Sequence, residues 1–151
     1  MAYLTIKGVE HEAKFNFLFS KKADEKYSEK DENGKKAGGF HSVYMGLLQS
    51  DNDSLVAFWD CGLAHLKATD RPSIEDIQNA IAERSEVDED TLPMLKEAYQ
   101  AIDASGFFKQ QSRKLWKNIE SLKNSGSTEE KRAENLKMYE VMDGYRKELM
   151  D

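Results

Sequence analysis

The chain has 151 residues, about 39% hydrophobic and 33% charged, with a formal net charge of −6. That length fits one domain with at most an appendage, and no apolar run reaches the ~18–20 residues that a membrane span needs. The single cysteine, Cys61, excludes a disulfide framework and fits a reducing compartment, and the acidic balance argues against general nucleic-acid binding.

The opening residues carry no charged stretch followed by an apolar one, so no signal peptide is expected there. Leu4 and Ile6 alternate with Tyr3, Thr5 and Lys7. After Gly8, Val9, His11 and Ala13 alternate with Glu10 and Glu12, and Phe15 and Phe17 keep the same parity. This predicts a β-hairpin over 3–17 with one apolar face and a turn at Lys7-Gly8-Val9. A lone hairpin is marginal and must pack on something else.

Ser20 is the candidate cap of a short helix through Ala23 and Tyr27. The charged, glycine-containing segment 28–39 then reads as a mobile surface loop. Phe40, Val43, Tyr44, Leu47 and Leu48 recur at i, i+3, i+4, i+7 and i+8, an amphipathic helix. Ser50-Asp51-Asn52-Asp53 stops it and caps a second helical stripe of Leu55, Phe58, Trp59, Gly62, Leu63 and Leu66, widened by Val56 and Cys61.

Ser73-Ile74-Glu75-Asp76 resembles a capping box with Asp in place of Glu, opening a helix with Ile74, Ile77, Ala80 and Ile81 inward. Glu86, Asp88, Glu89 and Asp90 read as an acidic linker. A helix with Leu92, Leu95, Ala98, Tyr99 and Ile102 follows, and Pro93 sits where a first-turn proline is tolerated. The next helix is basic. Phe108, Leu115, Ile119 and Leu122 share one face, surrounded by Lys109, Arg113, Lys114, Lys117 and Lys123.

After Gly126, Ser127-Thr128-Glu129-Glu130 reads as a capping box for a last helix with a thin stripe: Leu136, Tyr139, Met142, Tyr145 and Leu149. The whole predicts a mostly α, α+β fold: a short N-terminal hairpin on a bundle of about five to seven helices. The helices of 40–123 belong to a domain over 1–125, with a charged helix over 127–151 appended.

Chemistry is sparse. No Walker, dinucleotide-binding, nucleophile-elbow or zincin motif is present. Cys61 and His65 at i, i+4 are the one arrangement suited to a metal or a thiolate–imidazole pair. Further ligands at proper spacing are lacking, and the apolar setting favours an inert buried thiol. The acidic residues lack the order of a calcium loop. No catalytic, cofactor or metal residues are therefore assigned, and the chain is not expected to be an enzyme.

The order of parts resembles the tail assembly chaperones of long-tailed bacteriophages of Gram-positive bacteria. The resemblance lies in Tyr3-Leu4-Thr5-Ile6-Lys7-Gly8, Glu12-Ala13-Lys14-Phe15-Asn16-Phe17 and the helix opened by Gly39-Phe40. It continues through Arg71-Pro72-Ser73-Ile74-Glu75-Asp76-Ile77 and Ser105-Gly106-Phe107-Phe108, covering roughly 3–123. It implies a non-enzymatic protein of the host cytoplasm that keeps the tape measure protein soluble and leaves before the virion matures.

Such a role needs apolar surfaces and multivalency rather than an active site. The candidate client contacts are Leu136, Tyr139, Met142, Tyr145 and Leu149, because Met repacks and Tyr keeps a polar end in water. Glu86, Asp88, Glu89 and Asp90 against Lys109, Arg113, Lys114 and Lys117 are the candidate contacts of a weak homo-oligomer. The alternatives are a structural virion component, such as a head–tail connector or minor tail protein, and a small enzyme or regulatory module using Cys61 and His65.

Overall fold

The computed structural model describes residues 1–30, 34 and 36–151. Two strands, β1 (Tyr3–Ile6) and β2 (Val9–Glu12), pair antiparallel, Ile6 opposite Val9 and Tyr3 opposite Glu12. The turn is therefore the two residues Lys7 and Gly8. Both have positive φ, 50° and 78°, as a tight turn matched to strand twist requires. Leu4 and Ile6 are buried beneath the hairpin, whereas Val9 is exposed, so the apolar face comes mainly from β1.

The strand parity does not run on to Phe17. Helix α1 spans Phe17–Tyr27, and Asn16, not Ser20, caps it. The Asn16 Oδ1 accepts from the Leu18 and Phe19 amides at 3.0 and 3.2 Å, satisfying two donors that the first helical turn leaves free. Within the expected 28–39 loop, β3 (Glu29–Lys30) and β4 (Lys36–Ala37) form a short antiparallel ladder. The rest of that loop, residues 31–33 and 35, lies outside the described residues.

Helices α2 (Gly39–Leu48) and α3 (Asn52–Gly62) form the centre. All five residues of the α2 stripe are buried. Gly39 is required where α2 meets α1, because a Cβ there would collide with the Ala23 backbone. Asp51 caps α3. This helix ends at Gly62 rather than reaching Leu66, and the chain continues in tighter turns. The Gly62 carbonyl then accepts from the Lys14 amide at 3.0 Å, which fastens the hairpin's exit to the end of α3.

The Ser73–Asp76 capping box is present at the start of α4 (Ile74–Asp88). The acidic linker is not a linker. Glu86, Val87 and Asp88 complete α4, and only at Glu89, φ 58°, does the backbone turn left-handed. Glutamate is a good helix former and nothing earlier breaks the turn. Helices α5 (Leu92–Ala104) and α6 (Lys109–Glu120) follow, then a 3₁₀ turn, Ser121–Asn124, and α7 (Glu129–Met150). Thr128, one residue after the expected cap, accepts from the Lys131 amide.

The described residues thus hold seven α-helices and an N-terminal hairpin, the α+β, mostly α class expected. Phe19, Phe58 and Phe108 are fully buried, and Phe40 stacks on Phe108 at 4.6 Å. No described helix is long and apolar enough to cross a membrane.

Candidate interaction surfaces

Three polar clusters lock the helices and decide which surfaces remain. Asp60 of α3, 5% exposed, receives Lys22 and Lys26 at 2.7 Å each and the Tyr27 hydroxyl at 2.6 Å. Burial pushes its carboxyl pKa up, but those three hydrogen bonds outweigh it and hold the group below the usual carboxylate range. The same burial and the bond to Asp60 push the Tyr27 hydroxyl up. The cluster clamps α1 to α3.

Arg84 of α4 donates to the Tyr3 carbonyl at 3.1 Å, to Glu97 of α5 at 3.0 Å and to Asp88 at 3.3 Å. Glu97 in turn accepts from the Tyr3 amide at 2.6 Å, so β1, α4 and α5 share one network.

The third cluster lies between α2, α5, α6 and α7. Tyr44 donates its hydroxyl proton to Asp103 at 2.6 Å and accepts from Trp116 Nε1 at 2.6 Å. That leaves the Tyr99 hydroxyl, 2.8 Å away, to donate to Tyr44. Burial first, then the bond to Asp103, pushes the Tyr44 hydroxyl up. Arg146 of α7 reaches the other Asp103 oxygen at 3.6 Å and lies over the Trp116 ring at 4.5 Å. Tyr99 and Asp103 stand four apart on the buried face of α5, a spacing that marks an acid turned inward.

Of the stripe predicted on the last helix, Leu149 is buried at 1% exposure, whereas Leu136 and Tyr145 are 40% and 42% exposed. Tyr139 and Met142 are half-buried, with Lys123 over the Tyr139 ring at 4.5 Å. The helix is docked at its C-terminal end, where Gln100 donates to the Leu149 carbonyl at 2.7 Å. Leu149 therefore belongs to the core rather than to a free contact surface. Met138 and Val141 add to the exposed apolar side.

The two charged sets lie on different helices and are partly engaged. Asp88 pairs with Arg84, and Asp90 accepts from the Leu92 amide at 2.9 Å, at the first residue of α5. Lys109 donates to the Asp103 carbonyl at 3.2 Å. Glu86, Glu89, Arg113, Lys114 and Lys117 face solvent.

Sequence reasoning missed one surface. Phe17, placed on the hairpin's apolar face by parity, is 81% exposed at the first position of α1. It meets Phe107, 38% exposed, edge to face at 5.0 Å, and Leu18 is exposed beside it. A groove of about 630 Å³ runs alongside, with Phe15, Ala101, Ala104 and Phe107 in its lining and Glu12, Lys14, Glu97 and Gln100 adding a polar side. The Phe107-Phe108 pair was the available signal: successive residues at a turn diverge, so burying Phe108 turns Phe107 outward.

Cys61 is buried, and burial pushes its thiol up to about 12, so the reactive thiolate is scarce at neutral pH. His65 lies past the end of α3, so no continuous helix face joins the two. No group of three or more His, Cys, Asp or Glu side chains suited to a metal occurs among the described residues.

The family model described as "Phage tail assembly chaperone protein, TAC" matches residues 3–117, from β1 into α6. Comparison with curated proteins and with solved structures returns no match. On a match covering well over half of its length, the chain belongs to the phage tail assembly chaperone family.

Proposed function

We propose that the chain binds the tape measure protein during tail assembly and keeps its apolar helices soluble until tube subunits enclose them. The observation that carries this reading is the exposed Phe17–Phe107 patch with its groove, joined to a family match that spans both residues. Aromatic side chains clustered at the surface mark a contact site, and a groove beside them can take the apolar face of a helix. The outer face of α7, with Met138, Val141 and Tyr145, supplies further apolar area.

The mechanism is binding without catalysis. One weak contact does not protect a long client, but several copies along it gain effective concentration. Glu86 and Glu89 on one copy facing Arg113, Lys114 and Lys117 on the next support a weak, salt-sensitive head-to-tail association. The protein then acts in the host cytoplasm and leaves before the particle is complete. Mass spectrometry of mature particles against assembly intermediates tests this. The chain is expected in the intermediates and absent from particles, and a fixed copy number in mature particles would favour a structural tail component instead.

A further inference from the structure

Helix α7 lies beyond the family match, which stops at residue 117, yet it covers the most polar part of the interior. Beneath it, Asp103 is 8% exposed and holds one oxygen against Tyr44, while the other faces Arg146. Leu149, three residues after Arg146, enters the core. The contact is thus a two-point recognition, an aliphatic anchor and a cation at i, i+3 on one helix face.

The earlier part of α7 is tied mainly to the turn that precedes it, through Asn135, which donates to the Ser125 carbonyl and hydroxyl at 3.1 and 3.2 Å, and through Lys123 over the Tyr139 ring. Leu136, Met138, Val141 and Tyr145 remain exposed, and Gly144, a weak helix former, stands inside the continuous helix two residues before Arg146 with open space around it. The connection from α6 passes through Gly126 at φ 135°, where a Cβ would press on the Arg132 amide at 2.7 Å.

We propose that the surface of α2, α5 and α6 covered by α7 is a helix-docking site. On this reading α7 is its built-in occupant, and a client helix bearing Arg-x-x-Leu replaces it. The chemistry selects that occupant. A purely apolar helix would leave the buried Asp103 carboxylate without its cation, a cost that discriminates against it. The proposal rests on the client-binding reading only for the source of the displacing helix. Occupancy in cis lowers the apparent affinity for any helix in trans by the fraction of molecules in which the site is open. That keeps the surface covered until a client is present.

The test uses the full chain and a fluorescent peptide of residues 129–151, so its outcome is independent of any tape measure protein. The peptide is titrated into the wild-type chain and into the Arg146→Glu/Leu149→Asp variant, whose own α7 is released. The expected result is binding to the variant about tenfold or more tighter than to wild type, and none by a peptide carrying the same two changes. No binding to a folded variant, or equal binding to both chains, overturns the proposal. Should the variant fail to fold, amide hydrogen exchange on the wild-type chain decides. Exchange across α7 well before α5 supports a displaceable helix, and equal protection of the two overturns it.

Discussion

Tyr44 of α2 and Asp103 of α5 share a 2.6 Å hydrogen bond across the helix interface, and Trp116 and Tyr99 converge on the same hydroxyl. A buried carboxylate in a helical core is tolerated only when its lone pairs are answered. Here a tyrosine answers one oxygen and a removable helix answers the other.

Substituting Asp103 by Ala leaves the Tyr44 hydroxyl without its acceptor and Arg146 without its counter-ion. The expected loss is about 1.5–3 kcal/mol of stability, the range for a hydrogen bond to a charged group, measured by urea unfolding. Asp103→Asn keeps an acceptor for Tyr44 and should lose less, with the difference concentrated in protection of α7. Equal losses for both variants would place the effect on the charge, which both remove, rather than on packing or on the acceptor for Tyr44.

Gly144 stands in the interior of α7 with nothing within 4 Å of an added Cβ. Gly144→Ala should stabilise the helix by roughly 0.5–1 kcal/mol. Slower amide exchange in α7, with unchanged exchange in α3, is the expected reading. An unchanged α7 would mean that its opening does not pass through local helix unfolding.

Asp60 supplies a pH dependence with a definite sign. Its folded pKa lies below the unfolded value, so its contribution is complete above the ordinary aspartate pKa of about 3.9 and fades as pH falls through the lower folded value. The stability gap between wild type and Asp60→Asn should be constant near neutrality and shrink below about pH 4. A gap that widens on acidification would contradict the assignment.

Cys61 should resist alkylation in the native chain, reacting at a rate set by unfolding, because its thiol is buried and pushed up to about 12. Cys61→Ala should cost on the order of 1 kcal/mol from the small void and leave client binding intact. Fast labelling of the folded protein would reopen a reactive role for this residue.

The helices from α2 to α6 were legible because each carries an apolar stripe at helical spacing, and the Ser73–Asp76 box marked α4. The first helix was not. Phe15, Phe17 and Phe19 keep the alternation of a strand across Asn16, so period alone extends β2 into α1, and only the cap reveals the change. The β3–β4 ladder has two residues on each side, too short for a pattern. The stripe of α7 is visible, but its fate is decided by which neighbours it meets. Leu149 finds the core while Leu136 and Tyr145 do not. Likewise the Phe17–Phe107 contact joins residues 90 apart in the chain, which local periodicity cannot bring together.

The measurement that bears most directly on the central claim is the soluble fraction of the tape measure protein expressed alone, with the wild-type chain, and with Phe17→Asp/Phe107→Asp. Wild type is expected to bring the client into the soluble fraction and to co-purify with it. The variant should do so far less, with its fold checked by circular dichroism because Phe107 is only 38% exposed and packs on Phe108. A client that is equally insoluble with the folded wild-type chain would contradict the proposed chaperone role, and equal rescue by the variant would remove the aromatic patch from it.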